Sequence, residues 1–334
     1  MFISWIKTLY SHPVSFVKNN GYLSRPIDIQ RSVRQGCPVS CLLFIIAVEI
    51  MGHKIRNEKK LKGVTIPNCH INLKMLQYAD DGIAFLNTIE ELETLIDIVT
   101  EFGNLSGTKL NLSKCEGLWH GAFKDNQKNC DILNIRWPEE PIRCLGIYIS
   151  NDVELNDSLN WTKKLDKMRL LINAWKKRDL TIYGKVCVLK QLVMPQILYS
   201  ASLLYIPDYV TKEVNTIFYD FIWGKKEYVK RNTLISDVAN GGINMIDIES
   251  MFQAVKCSWA VRLFNADEYE IWPTIARNVY NLHRDDFLIF KLNFTNCKTA
   301  SFIRGIPLFY QQVLLAFNKA KCMTYEHFHD NIFD

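Results

Sequence analysis

The sequence predicts an α+β unit from residue 1 to about residue 152, followed by a mostly helical region. Three observations lead there. Apolar runs with strand character at 71–78 and 83–86 are separated by Ala79-Asp80-Asp81-Gly82, a set of turn-forming residues. Directly after them, Leu92, Leu95, Ile96, Val99 and Phe102 recur at helical spacing. Beyond Ser150 the strand signals give way to long seams of three- and four-residue steps.

Taken in order, Phe2 to Tyr10 have the apolar spacing of a short helix. Val14 to Val17 and Pro26 to Ile29 flank the turn signal Asn19-Asn20-Gly21 and read as paired strands. Pro38 takes the favoured first-turn position of a helix. The stretch Leu42 to Ile46 in that helix is apolar on all sides, which predicts burial between a sheet and other elements. It meets water at Lys54, Arg56, Glu58, Lys59 and Lys60. After the acidic hairpin, Thr88 and Glu91 form a capping box for the next helix. Its Glu90, Glu93, Asp97 and Glu101 lie largely opposite the apolar stripe, as on a helix laid against a sheet. Leu110 to Trp119 and Ile142 to Ile149 read as further strands.

In the helical region Trp161, Leu165, Met168, Ile172 and Trp175 form a seam, with Lys163, Lys164, Lys167, Lys176 and Lys177 mostly off it. A helix from Ile182 is expected to stop near Pro195, and another to run from Thr211 to Trp223. The domains expected are 1–152, 153–260 and a helical extension at 261–334.

Composition sets few limits: 334 residues, 48% hydrophobic and 22% charged, describe an ordinary globular chain with ample core material. A net charge of +5 is a weak pointer to a polyanionic partner. The ten cysteines include no C-x-x-C pair, and no basic leader precedes the first apolar residues. Reduced thiols in a nuclear or cytoplasmic protein are therefore expected, and, with no run of eighteen apolar residues, no membrane span. Cys322, His327 and His329 lack a second cysteine at short spacing, so no structural zinc is expected.

Chemistry concentrates at Tyr78-Ala79-Asp80-Asp81. Two adjacent carboxylates at a hairpin tip repel each other unless something neutralises them. Mg²⁺ does so, held by one or two carboxylates plus substrate phosphates, as nucleotidyl transfer requires. An isolated pair of aspartates is more often a solvated turn. The surroundings decide. Upstream stands Arg31-Ser32-Val33-Arg34-Gln35-Gly36-Cys37-Pro38-Val39-Ser40. Downstream come Ser106-Gly107-Thr108-Lys109-Leu110-Asn111-Leu112-Ser113-Lys114 and Cys144-Leu145-Gly146-Ile147. In this order and spacing, the four blocks resemble the later blocks of reverse transcriptases of the non-LTR, LINE-like group. Phe2 to Gly21, Trp175 to Leu180, Gly184-Lys185, Pro195, Phe221-Ile222-Trp223 and Gly241-Gly242-Ile243 extend the resemblance to about residue 260.

The resemblance implies a partial polymerase palm, an antiparallel sheet with packed helices, and then a helical thumb-like domain. It implies RNA-directed DNA synthesis with template RNA, primer DNA and dNTP as partners, at a two-Mg²⁺ site. Asp80 would be a metal ligand with Asp81 as its auxiliary; Tyr78 would shape the primer end and Ala79 keep the turn tight. Gln35 and Gly36 would line the nascent base pair, Arg34 would meet phosphate, and Lys114 would lie near the incoming triphosphate. Leu145 and Gly146 match a hairpin that supports the primer strand. Lys176, Lys177, Arg178 and Lys185, on a basic helical face, would follow the nucleic-acid backbone.

Nothing before Arg31 supplies the family's D-x-x-x-A-F-D-like block, so the resemblance implies a chain that starts inside the palm and is inactive alone. Ser32, Cys41 and Gly82 also depart from the usual pattern. The rival readings are a non-catalytic nucleic-acid-binding module and a translated transposon remnant.

Overall fold

The computed structural model describes residues 1–29, 36–67, 71–124, 133–138, 141–224, 226, 228–267, 270–281, 288–291 and 303–323. Arg34, Gln35, His327 and His329 lie outside the described residues. The chain divides into two compact units, Met1–Ile66 with His70–Leu112, and Pro67–Cys69 with Ser113–Asp334.

The first unit opens with α1 (Phe2–Leu9) and two nested hairpins. The inner one pairs β2 (Lys18–Asn19) with β3 (Tyr22–Leu23), inside the pair made by β1 (Val14–Ser15) and β4 (Ile27–Asp28). Asn20 and Gly21 turn it with φ of 47° and 88°, the double positive φ that Asn-Gly hairpins favour. Next comes α2 (Pro38–Asn57), with Pro38 in its first turn. Lys74 Nζ donates to the carbonyls of Arg56 and Glu58, 2.7 Å each, placing a cation on the negative end of that helix.

Short β5 (Val64–Thr65) pairs with β6 (Asn72–Leu73), and β7 (Met75–Tyr78) pairs with β8 (Asp81–Ala84). Then α3 (Ile89–Ser106) begins at a capped end: Thr88 Oγ1 accepts the Glu91 N–H at 3.3 Å. Glu91 reaches back to the Asn87 N–H, one residue earlier than the usual reciprocal bond. Met51, Ile55, Leu61 and Ile98 form the core here, with Met75 and Leu86 packed on it, so α2 and α3 hold the β7–β8 hairpin.

The expected burial of α2 on all sides is not met. Leu42, Ile45, Ile46 and Ile50 are 59–66% exposed. Among the described residues the sheets are all two-stranded, so none is broad enough to cover that face. By length and composition α2 is apolar enough to cross a membrane, with a mean hydropathy of 1.6, although its exposed Glu49 and Arg56 form an ion pair.

In the second unit, the expected strand Leu110 to Trp119 is replaced by a 3₁₀ turn at Leu112–Lys114 and a single bridge, Glu116 to Arg136. Here ring packing takes the place of a ladder: Trp119 stacks on Trp137 at 4.5 Å. A hairpin of β9 (Ile142–Cys144) and β10 (Ile147–Ile149) follows. The chain continues through α4 (Val153–Asp157), a π-helical turn Ser158–Thr162 and α5 (Lys163–Trp175). It then runs through α6 (Ile182–Val188), a second π turn Leu189–Val193, α7 (Pro195–Leu203) and α8 (Asp208–Trp223).

The helix beginning at Ile182 stops at Val193, just before Pro195, as expected. A new helix, α7, starts at Pro195 after a 46° bend, since proline at the first helical position has no needed N–H to lose. The predicted seam is the core: Trp161, Leu165, Met168 and Ile172 pack with Val193, Ile197, Val210 and Phe218.

After α9 (Arg231–Ile235) come α10 (Ile248–Phe264), α11 (Ile271–Val279), α12 (Leu288–Lys291) and α13 (Leu308–Met323). A second core joins Leu263, Ala276, Phe290, Leu314 and Phe317. Three side chains occupy main-chain groups at the end of α7. Lys256 Nζ donates to Leu204 O, Trp259 Nε1 donates to Ser202 O at 2.7 Å, and Gln312 bonds both the N–H and the C=O of Ile206. Burial pulls the Lys256 ammonium down to a pKa of about 7.

Candidate functional site

The paired aspartates sit on the β7–β8 hairpin, whose register places Met75 opposite Ala84 and Tyr78 opposite Asp81. The turn is tighter than the sequence implies. Ala79 and Asp80 alone form it, and Asp81 and Gly82 already belong to β8. Ala79 takes φ of 53°, a left-handed conformation that a residue with a Cβ adopts at a cost of about 1 kcal/mol or more. Gln77 Nε2 steadies the turn by donating to Ala79 O at 3.1 Å. A Cβ at Gly82 would stand 2.7 Å from the Met75 methyl, the movable end of a flexible side chain.

Tyr78, Ala79, Asp80 and Asp81 are all exposed. Among the described residues neither carboxylate takes part in a hydrogen bond or ion pair, so their oxygens are free for a ligand. Hard oxygen donors of this kind fit Mg²⁺, which needs only one or two protein carboxylates when substrate phosphates complete its shell. Among the described residues no group of three or more His, Cys, Asp or Glu could hold a metal ion without such help.

The other sequence-selected residues are divided between the two units. Gly36 in the first unit is exposed, with φ of 78°, so its lack of a side chain serves the backbone turn. Lys114 is exposed in the 3₁₀ turn that opens the second unit. Leu145 and Gly146 are the two turn residues of the β9–β10 hairpin, with φ of 44° and 84°. Lys176, Lys177 and Arg178 are exposed after α5, and the Arg178 guanidinium lies 4.3 Å from the Trp175 ring. Lys176 and Arg178, with Lys185 and Phe221, border a cavity of about 240 Å³. Lys185 is already engaged, since its Nζ donates to Ile222 O at 2.9 Å near the end of α8.

Sequence reasoning missed the residues that hold the β9–β10 hairpin. Asn160, 2% exposed in the first π turn, accepts the Tyr148 N–H and donates to Tyr148 O, both at 2.9 Å. Asn156 does the same for Ser150, at 2.8 and 2.7 Å. Two amides one helical turn apart thus pair with Tyr148 in β10 and with Ser150 just beyond its end, in place of a third strand. The i, i+4 asparagines directly after a strand were the available signal. From the other side, Tyr199 donates its hydroxyl to Leu145 O at 2.8 Å.

Comparison with known proteins places these features. Residues 1–149 match the family model described as reverse transcriptase (RNA-dependent DNA polymerase). Over 321 residues, 94% of the chain, the sequence is 27% identical to the transposon TX1 uncharacterized 149 kDa protein of Xenopus laevis. It is also 28% identical over 132 residues, 40% of the chain, to the retrovirus-related Pol polyprotein from the type-2 retrotransposable element R2DM of Drosophila melanogaster. The chain spans 24% of the first relative's length and 12% of the second's. Residues 1–149 thus carry the similarity to reverse transcriptases, and both relatives are proteins of transposable elements.

Proposed function

We propose that the β7–β8 hairpin is a metal-holding element of an RNA-directed DNA polymerase, which adds dNTPs to a DNA 3′ end on an RNA template. The observation that carries this is the exposed, unengaged pair Asp80–Asp81 at a two-residue turn inside the matched segment. When bound, Mg²⁺ would lower the pKa of the attacking hydroxyl and steady the leaving pyrophosphate. Asp80 and Asp81 would supply carboxylate oxygens to it, while the α2–α3 core fixes the hairpin through Met75. The palm and thumb identity of the two regions belongs to this reading, as do the contacts of Lys176, Lys177 and Arg178 with nucleic-acid phosphates.

With no third ligand clustered beside the pair among the described residues, the isolated chain is expected to bind Mg²⁺ weakly and to give background primer extension. Paramagnetic Mn²⁺ offers a direct assay, by selective broadening of the NMR signals of residues 78–82. The reading expects that broadening to vanish in Asp80→Asn with Asp81→Asn. Equal broadening in the double variant would refute it.

A further inference from the structure

We infer that Thr181, in the link between α5 and α6, is a phosphorylation site for an arginine-directed serine/threonine kinase, and that its phosphate settles on the chain's own cations beside it. The sequence there runs Lys176-Lys177-Arg178-Asp179-Leu180-Thr181-Ile182-Tyr183. A basic run ahead of a hydroxyl is the charge pattern that an acidic kinase groove selects. Arg178 stands three residues before Thr181, and nowhere else in the sequence does an arginine hold that spacing to a serine or threonine.

The fold presents this segment for capture. From Lys176 to Tyr183 every residue is exposed except Leu180, which anchors the link by packing against the large helical core. Ile182 and Tyr183, apolar positions just after the hydroxyl, are 37% and 59% exposed. Thr181 itself has extended backbone, with φ of −63° and ψ of 162°, the open form in which peptides lie along a groove. Its oxygen accepts the Gly184 N–H at 3.2 Å, and among the described residues its proton goes to no acceptor.

The cations that would receive the phosphate are in place. Lys176, Arg178 and Lys185 border the cavity of about 240 Å³ together with the carboxylate of Asp179. Three cations against one acid leave an excess of two, which matches the roughly −1.5 to −2 charge of a phosphothreonine near neutral pH. Among the described residues none of the three cations takes part in an ion pair. Lys185 spends one ammonium donor on Ile222 O and keeps two. Its main-chain N–H donates to Thr181 O at 2.9 Å, and Leu180 also lines the cavity, so Thr181 lies between two of the lining residues.

In the transfer, Thr181 Oγ1 forms a bond to the γ-phosphorus of MgATP while the bond from that phosphorus to the β–γ bridging oxygen breaks. ADP leaves, and the hydroxyl proton passes to the catalytic aspartate of the kinase. The site stands apart from the polymerase reading, and no step of its test uses primer extension.

The test incubates the folded full chain with MgATP and a calmodulin-dependent kinase, which reads an arginine three residues before the hydroxyl. Peptide mass mapping should place one phosphoryl group on Thr181. Thr181→Ala should lose it, and Thr181→Ser, which keeps the cap on Gly184, should retain it. Arg178→Gln should slow the reaction about tenfold or more, the scale of one lost charge-assisted contact. In phosphorus NMR the second proton affinity of the phosphate should be about tenfold lower in the folded chain than in the same chain in urea. Lys176→Gln should recover part of that difference. No phosphate on Thr181, or a rate indifferent to Arg178→Gln, would overturn the site. Equal proton affinity in the folded and unfolded chain would overturn the seating of its phosphate on the cations.

Discussion

Replacing Asn160 by alanine should release the outer edge of β10. The side chain makes three hydrogen bonds, two to Tyr148 and one, at 2.9 Å, to Asn156 O. Each has a net worth of about 1 kcal/mol, and Asn160 is 2% exposed, so water compensates poorly for their loss. The expected cost is about 3 kcal/mol. Asn156→Ala, with two bonds to Ser150 at a half-buried position, should cost about 1–2 kcal/mol. Amide hydrogen exchange reads this locally, because the only described acceptor of the Tyr148 N–H is the Asn160 side chain. At about 1.4 kcal/mol per factor of ten, protection at Tyr148 should fall roughly a hundredfold in Asn160→Ala. If Tyr148 exchanges as slowly in the variant as in the unaltered chain, the amide ladder does not hold the hairpin.

Two further outcomes follow from the same geometry. Leu145→Asn should stabilise the chain by about 0.5–1 kcal/mol in urea unfolding, because φ of 44° strains a leucine and suits the Asn-Gly turn that would result; a loss of stability would show that the leucine contacts outweigh the strain. Lys256 should make stability depend on pH. Burial lowers its pKa from 10.5 to about 7, so between those values the unfolded chain carries a proton that the folded chain lacks. Stability should therefore rise with pH across that window and lie flat at its lower level below about pH 7, by at most about 5 kcal/mol. The Leu204 carbonyl and the Phe309 ring, 4.3 Å away, both favour the ammonium and reduce the effect. Lys256→Met should abolish this rise, and identical pH profiles for the two proteins would refute it.

The helical seam from Trp161 to Ile172 was legible because its burial depends on periodicity alone, which the structure keeps through a π turn. The outer strand pair flanking Asn20–Gly21 and the capped start of α3 were legible for a similar reason, since local turn and cap chemistry fixes them, while the inner pair β2–β3 was not foreseen. Elements that depend on a partner were not. The run from Leu110 to Trp119 has strand composition, but only Glu116 finds a bridge, and the chain curls instead. The outer face of α2 reads as core, yet its apolar side chains stay in water because apolar composition cannot state what covers it. At the candidate site the aspartate pair was plain. The exact turn was not, because alanine is an unexpected occupant of a left-handed position. The asparagines that act as a surrogate strand were invisible to a search for charged groups.

That surrogate strand also governs what can assemble at β10. An extended peptide approaching this edge would have to evict Asn156 and Asn160 before it could bond to Ser150 or Tyr148. Unlike a strand, an asparagine side chain offers no second row of main-chain groups beyond itself, so ladder growth terminates there. The hairpin is thus closed to self-templated fibre growth along its length.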